Sequence, residues 1–190
     1  MTIFLILAPF AAFSFLMLTT SAIVSLFAAA AICLMVISYD IARGRSIKIL
    51  GAGSMILFAT LGAYLTLIDS GMSNSAIKLA VDAGVFAISL TSIALRFPFT
   101  LQYARETVDT ETANLPGFLR ANYIITSAWT GAFLLMMIAN VLLTYVPGLP
   151  LWSGLVIAFA ARNSAAYFTK WYPAYRRAKY GAPTASASAA

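Results

Sequence analysis

The chain has 190 residues, 62% of them hydrophobic and only 9% charged, with a mean hydropathy of +0.89. Soluble domains carry about 25% charged residues, so too little polar side chain is present to cover a water-soluble globule, and that class is excluded. With no histidine and a single cysteine, Cys33, the chain cannot form an internal disulfide, a Cys/His zinc site or a histidine-ligated haem.

A helix needs roughly 20 apolar residues to cross a bilayer. The opening "MTIFLILAPF" lacks a basic n-region and reads as a retained, membrane-embedded segment, not a cleaved signal. Residues 2–39 form an uncharged apolar run too long for one upright helix. The polar "TTS" at 19–21 divides it into spans at 3–19 and 21–39, the first short and carrying Pro9. After "YDIARGRSIK" comes a third span at 49–68, then the turn "DSGMSNS" and a fourth span at 76–95. A fifth covers 120–145 and ends at "PGLP"; a sixth runs from Leu151 to Tyr172, where Pro173 is expected to stop it. The small, polar stretch at 176–190 predicts a disordered tail. The expectation is an all-α protein: one polytopic membrane helix bundle over 1–175, with about six transmembrane helices and a short interfacial helix between the fourth and fifth.

The net charge of +6 is explained by placement. Arg43, Arg45 and Lys48 follow span two; Arg96, Arg105 and Arg120 flank or occupy the connection after span four; Lys170, Arg176, Arg177 and Lys179 close the chain. With six spans, ten of the twelve basic residues fall on one side, leaving Lys78 near the other and Arg162 within a span. The positive-inside rule makes that side cytoplasmic, along with both termini. The charge then orients the protein and touches anionic lipid, with no need for nucleic acid.

Charges inside a bilayer cost about 2.5–3.5 kcal/mol at a helix centre and demand a partner or a purpose. Asp82 lies inside span four, with Lys78 one turn earlier and placed to pair with it. Arg162, followed by Asn163, sits near mid-depth of span six and is expected to face the bundle, finding a carboxylate or helix carbonyls. An Asp82–Arg162 clamp between helices and a site for an ion, proton or polar headgroup both fit these residues. In span five, Asn122, Thr126, Trp129, Phe133, Met136 and Asn140 follow a 4-3-4-3-4 spacing and share one stripe. Amide side chains are ill-suited to lipid, so the stripe should face other helices, for hydrogen bonding or around a quinone or headgroup pocket.

The connection "RFPFTLQYARE" at 96–106 gathers Phe97, Leu101 and Ala104 on one helical face, with Phe99 and Tyr103 close beside. Gln102, Arg105 and Glu106 take the other side. This pattern predicts an interfacial helix serving as a membrane-surface anchor or as a docking surface. Glu106, Asp109 and Glu111, near Asn114, read as a solvated loop and not as a metal site. No Ser/His or Cys/His pair, HExxH or Asp-rich motif is present, so no enzyme, cofactor or metal is expected.

Taken in order over about 3–175, several of these features resemble the intracellular septation protein A family of bacterial inner-membrane proteins. They are the short first span with Pro9, the basic loop after span two, "IK" at 77–78, and Pro98 with Gln102. "AW" at 128–129, "AN" at 139–140, "TYVPGLPLW" and the closing "YP" complete the set. Asp82 and Arg162 do not map onto that pattern, and the 96–117 connection is more acidic. The resemblance implies a multi-pass protein of the inner, cytoplasmic membrane acting in septation or envelope maintenance. Its partners would be membrane lipids and other membrane proteins, oligomerisation being open, and no catalytic residue is implied. Two other functions stay open from the residues: a small transporter or channel using Asp82 and Arg162, and a lipid- or quinone-binding accessory subunit of a larger membrane complex.

Overall fold

The computed structural model describes residues 2–146 and 148–180, and every regular element among them is helical. In chain order these are α1 (Thr2–Thr19), α2 (Ala22–Ala42), α3 (Ile49–Leu67), α4 (Asn74–Ala94), α5 (Phe99–Arg105), α6 (Thr110–Asn114), α7 (Pro116–Tyr145) and α8 (Leu151–Tyr180).

Local chemistry sets the boundaries. Ser21 caps α2 by accepting the Val24 N–H at 3.3 Å, and Ser73 caps α4 by accepting that of Ala76 at 3.2 Å. The α2 helix ends at Gly44, whose φ of +68° lets the Gly44 and Arg45 N–H groups return to the carbonyls of Ile41 and Asp40, each at 2.9 Å. The α4 helix ends in the same motif, with Phe97 and Arg96 returning to Ser92 and Ile93. Here Arg96, at φ 59°, holds the left-handed position that usually falls to glycine. Pro116 opens α7, where its missing N–H removes no helix bond.

Pro173 does not stop α8, contrary to expectation, and the helix continues to Tyr180. An internal proline forfeits one backbone bond. Two aromatic stacks between residues four apart tie the turns around it together: Phe168 on Tyr172 just ahead of the proline and Trp171 on Tyr175 across it, each with centroids at 5.1 Å. Residues 176–180 of the expected tail are therefore helical, and 181–190 lie outside the described residues.

Four helices, α2, α3, α4 and α7, are long and apolar enough to cross a membrane, and α1 adds a shorter apolar stretch, Leu7–Thr19. The α8 helix falls short of that standard because Arg162 and Asn163 interrupt its apolar half. The long helices pack successively, α1 on α2, α2 on α3, α3 on α4, α4 on α7 and α7 on α8, while α5 and α6 lie against α7. Glycines permit the close approaches. A Cβ at Gly84 would collide with the Leu57 side chain, and one at Gly62 would stand 3.2 Å from the Phe27 ring. Leu26, Phe58, Leu65 and Ile77 are fully buried, and Phe10 and Phe13 of α1 lie on Phe58 at 5.7 and 5.5 Å. Phe15, Leu34, Met35, Leu67, Trp152 and Phe159 face outward. Such a surface suits lipid and would be an aggregation liability in water. The protein is thus built as a helical membrane protein.

Candidate functional site: a crevice closed at one end by a polar latch

The stretch 96–106 folds into α5 and is tied to three helices. The Thr100 hydroxyl shares a hydrogen bond with that of Thr126 at 2.6 Å and donates to the Asn122 carbonyl at 3.0 Å, both on α7. Ser92 of α4 accepts the Phe99 N–H at 3.3 Å. Gln102 Oε1 accepts the Ile49 N–H at 2.7 Å, capping α3, whose own N-cap residue, Lys48, supplies no side-chain cap. Nearby, Ser89 and Thr130 join α4 to α7 at 2.6 Å.

Lys48 turns its ammonium inward. It donates to Asp40 Oδ2 at 2.9 Å and to Glu106 Oε1 at 2.6 Å while only 4% exposed. Arg45 approaches the same carboxylates at 3.5 and 3.9 Å, and the Tyr103 ring lies 5.7 Å from Lys48 Nζ. Burial pushes the Tyr103 phenol up, and the charges of Asp40 and Glu106 add to the shift. The α2–α3 connection is thereby latched to the end of α5.

These tethers change the expected anchor. Phe99 and Leu101, read from sequence as lying at headgroup level, are 3% and 2% exposed and packed against protein. Tyr103 is half-buried, whereas Phe97 is exposed with the Arg105 guanidinium 5.9 Å above its ring. A segment whose Thr100, Gln102 and Glu106 each reach a different partner docks onto the bundle and cannot lie freely on a membrane surface. The acidic loop also disperses. Glu106 goes to Lys48, while Asp109 caps α6, accepting the Thr112 N–H at 2.7 Å and its hydroxyl at 3.0 Å. Those two bonds hold the Asp109 carboxyl below the usual carboxylate range. Among the described residues no three potential metal ligands gather.

On the other side of α5 a crevice of about 1040 Å³ runs between α1 and the α4–α7–α8 layer. Its apolar middle is lined by Phe10, Phe13, Val85, Phe99, Ile125, Trp129 and Phe133. Lys78, Asp82, Asn140 and Arg162 line one part; Thr107, Thr112, Arg176 and Arg177 line the part near α5 and α6. The Trp129 indole donates to Thr169 Oγ1 at 2.9 Å, fixing the register of α7 against α8. The stripe on α7 faces this space: all of its residues except Thr126, which bonds to α5, line the crevice.

Asp82 takes its hydrogen bond from Asn140 Nδ2 across α4 and α7. The expected Lys78–Asp82 ion pair is not formed: both side chains line the crevice, and the hydrogen bond that Asp82 makes comes from Asn140 on the neighbouring helix. No ion pair joins Asp82 to Arg162 either, although the charges of Arg162 and Lys78 both reach it. Arg162 faces inward onto the crevice and takes neither a carboxylate nor a helix carbonyl among the described residues. Asn163 is exposed, donating to the Phe159 carbonyl of its own helix at 2.8 Å.

Asp40, Lys48 and the cap from Gln102 were not singled out by sequence reasoning. The available signal was Asp40 itself, the only acid in the basic stretch "YDIARGRSIK", eight residues before Lys48. Comparison with protein-family models, with curated proteins and with solved structures returns no match, so the resemblance to the septation family rests on sequence order alone.

Proposed function

We propose that the chain is a non-enzymatic, multi-pass membrane protein that binds another membrane component, an amphiphile, in the crevice between α1 and α4–α7–α8. One observation carries this: a space of about 1040 Å³ with an aromatic, apolar middle and charged residues toward its two ends. Ligand sites of this kind are mostly apolar with a few placed polar groups. Among the charged side chains on its wall, Lys78, Arg162, Arg176 and Arg177 are cationic and only Asp82 is acidic. Six crossings, cytoplasmic termini and an envelope role in the bacterial inner membrane belong to the same proposal. Lys48 meets Glu106, and Arg176 donates to the Gly117 carbonyl, so basic segments far apart in the chain meet. That grouping supports the orientation.

The test is native mass spectrometry of the full chain released from nanodiscs. The unaltered protein is expected to retain one lipid per chain, and Ala158→Trp, which fills the crevice from α8, is expected to lose it. Transport of a small charged solute is a second function favoured by one observation, that the crevice reaches both Asp82 and Arg162. Failure to retain lipid, together with Asp82-dependent solute flux into proteoliposomes, would replace lipid binding with transport.

A further inference from the structure

The charges on the crevice wall come in an order. Asp82 is level with Asn140, its partner on α7, and Ser89 with Thr130 shows the same antiparallel register further along. The Trp129–Thr169 bond sets α7 against α8, and the close approach of Leu143 to Gly154 confirms that register nearer the helix ends. Arg162 then falls level with Met136, one helical turn, about 6 Å, deeper than Asp82 and Asn140. From the start of α4 inward the crevice therefore presents the Lys78 ammonium at its rim, the Asp82 carboxylate one turn in and the Arg162 guanidinium from one turn deeper, followed by the aromatic middle around Trp129 and Phe133.

Neither Arg162 nor Lys78 makes an ion pair or a hydrogen bond among the described residues, whereas Asp82 is steadied at one oxygen by Asn140. The other oxygen remains able to accept. A complementary occupant carries a cation at the level of Asp82, inside the Lys78 rim, an anion one turn deeper and hydrocarbon beyond that. An ammonium two carbons from a phosphate ester, attached to acyl chains, has that sequence. A guanidinium is well matched to phosphate oxygens, and a primary ammonium can donate to a carboxylate where a quaternary one cannot.

We infer that the crevice seats a phospholipid whose headgroup bears a primary amine, with the ammonium on Asp82, the phosphate on Arg162 and the chains against the aromatic middle. This inference rests on the proposed binding of an amphiphile in the same crevice.

The full-length protein in nanodiscs of equal parts phosphatidylethanolamine, phosphatidylglycerol and phosphatidylcholine separates the possibilities when its retained lipid is weighed by native mass spectrometry. Phosphatidylethanolamine is expected to be retained at least tenfold over the other two. Asp82→Asn should abolish that preference while lipid retention persists, and Arg162→Gln should reduce retention of all three. Equal retention of the three by the unaltered protein, or a preference untouched by Asp82→Asn, would overturn the headgroup assignment and leave crevice binding standing. No retained lipid at all would remove crevice binding itself. Free phosphoethanolamine, offered in detergent as a probe of the headgroup alone, should bind far more weakly than the lipid; equal affinity would overturn the assignment to a lipid.

Discussion

Lys48 lies 4% exposed between Asp40, eight residues before it, and Glu106, 58 residues after it. Removing one member of a buried ionic cluster costs about 3–5 kcal/mol, because the remaining charges stay desolvated without their counter-charge. Lys48→Met is therefore expected to lower the stability of the detergent-solubilised protein by roughly that amount, with Lys48→Arg losing less. An unchanged thermal midpoint for Lys48→Met would mean that the cluster is hydrated and not structural. Asp82 and Arg162 were legible in the sequence because a charge inside an apolar run is conspicuous. Lys48 was not, since it stands among other loop charges and its burial depends on Glu106, a partner that local spacing cannot supply. The hydroxyls of Ser89, Ser92, Thr100 and Thr126 were hidden in the same way: each is ordinary alone and acquires meaning only through a contact between helices.

Helix ends follow short-range rules, which is why most elements could be placed from the sequence. Ser21, Ser73 and Gly44 are ordinary caps and mark α2 and α4 well. Arg96 is the exception, a side chain in the left-handed position that terminates α4. Arg96→Gly relieves the clash of its Cβ, less the extra chain entropy of glycine, for an expected gain of about 0.5–1 kcal/mol. Denaturant unfolding of the two proteins side by side measures it, and a loss of stability would show that the arginine side chain contributes more than the backbone strain removes. Pro173 was misread for a related reason. Proline rules weigh the backbone alone, and the stacking of Phe168 on Tyr172 and Trp171 on Tyr175 lies outside them. The apolar face of α5 was legible but not what Phe99 and Leu101 meet, because amphipathic pattern alone cannot tell a lipid surface from a protein surface as the partner of an apolar face.

The helices line up as a sequential array whose basic connections meet: Lys48 with Glu106, and Arg176 with the start of α7. If that end faces one compartment, Arg105→Cys and Ala178→Cys should react with an impermeant thiol reagent from the same side, and Asp69→Cys from the other. Cys33 is 2% exposed and gives a silent background. Labelling of positions 105 and 178 from opposite sides would refute the arrangement. The general architecture was readable because hydropathy and helix length govern crossing; the crevice was not, because it depends on where α1 stands relative to helices it barely touches. The ionic latch also bears on how the chain is made. Asp40 and Lys48 can neutralise each other as soon as both have left the ribosome, but Glu106 emerges 58 residues later, roughly 3–12 s at ordinary elongation rates. The second and third helices can thus enter the bilayer with Lys48 already neutralised by Asp40, and the second carboxylate, Glu106, arrives as the fastening that closes a half-finished assembly.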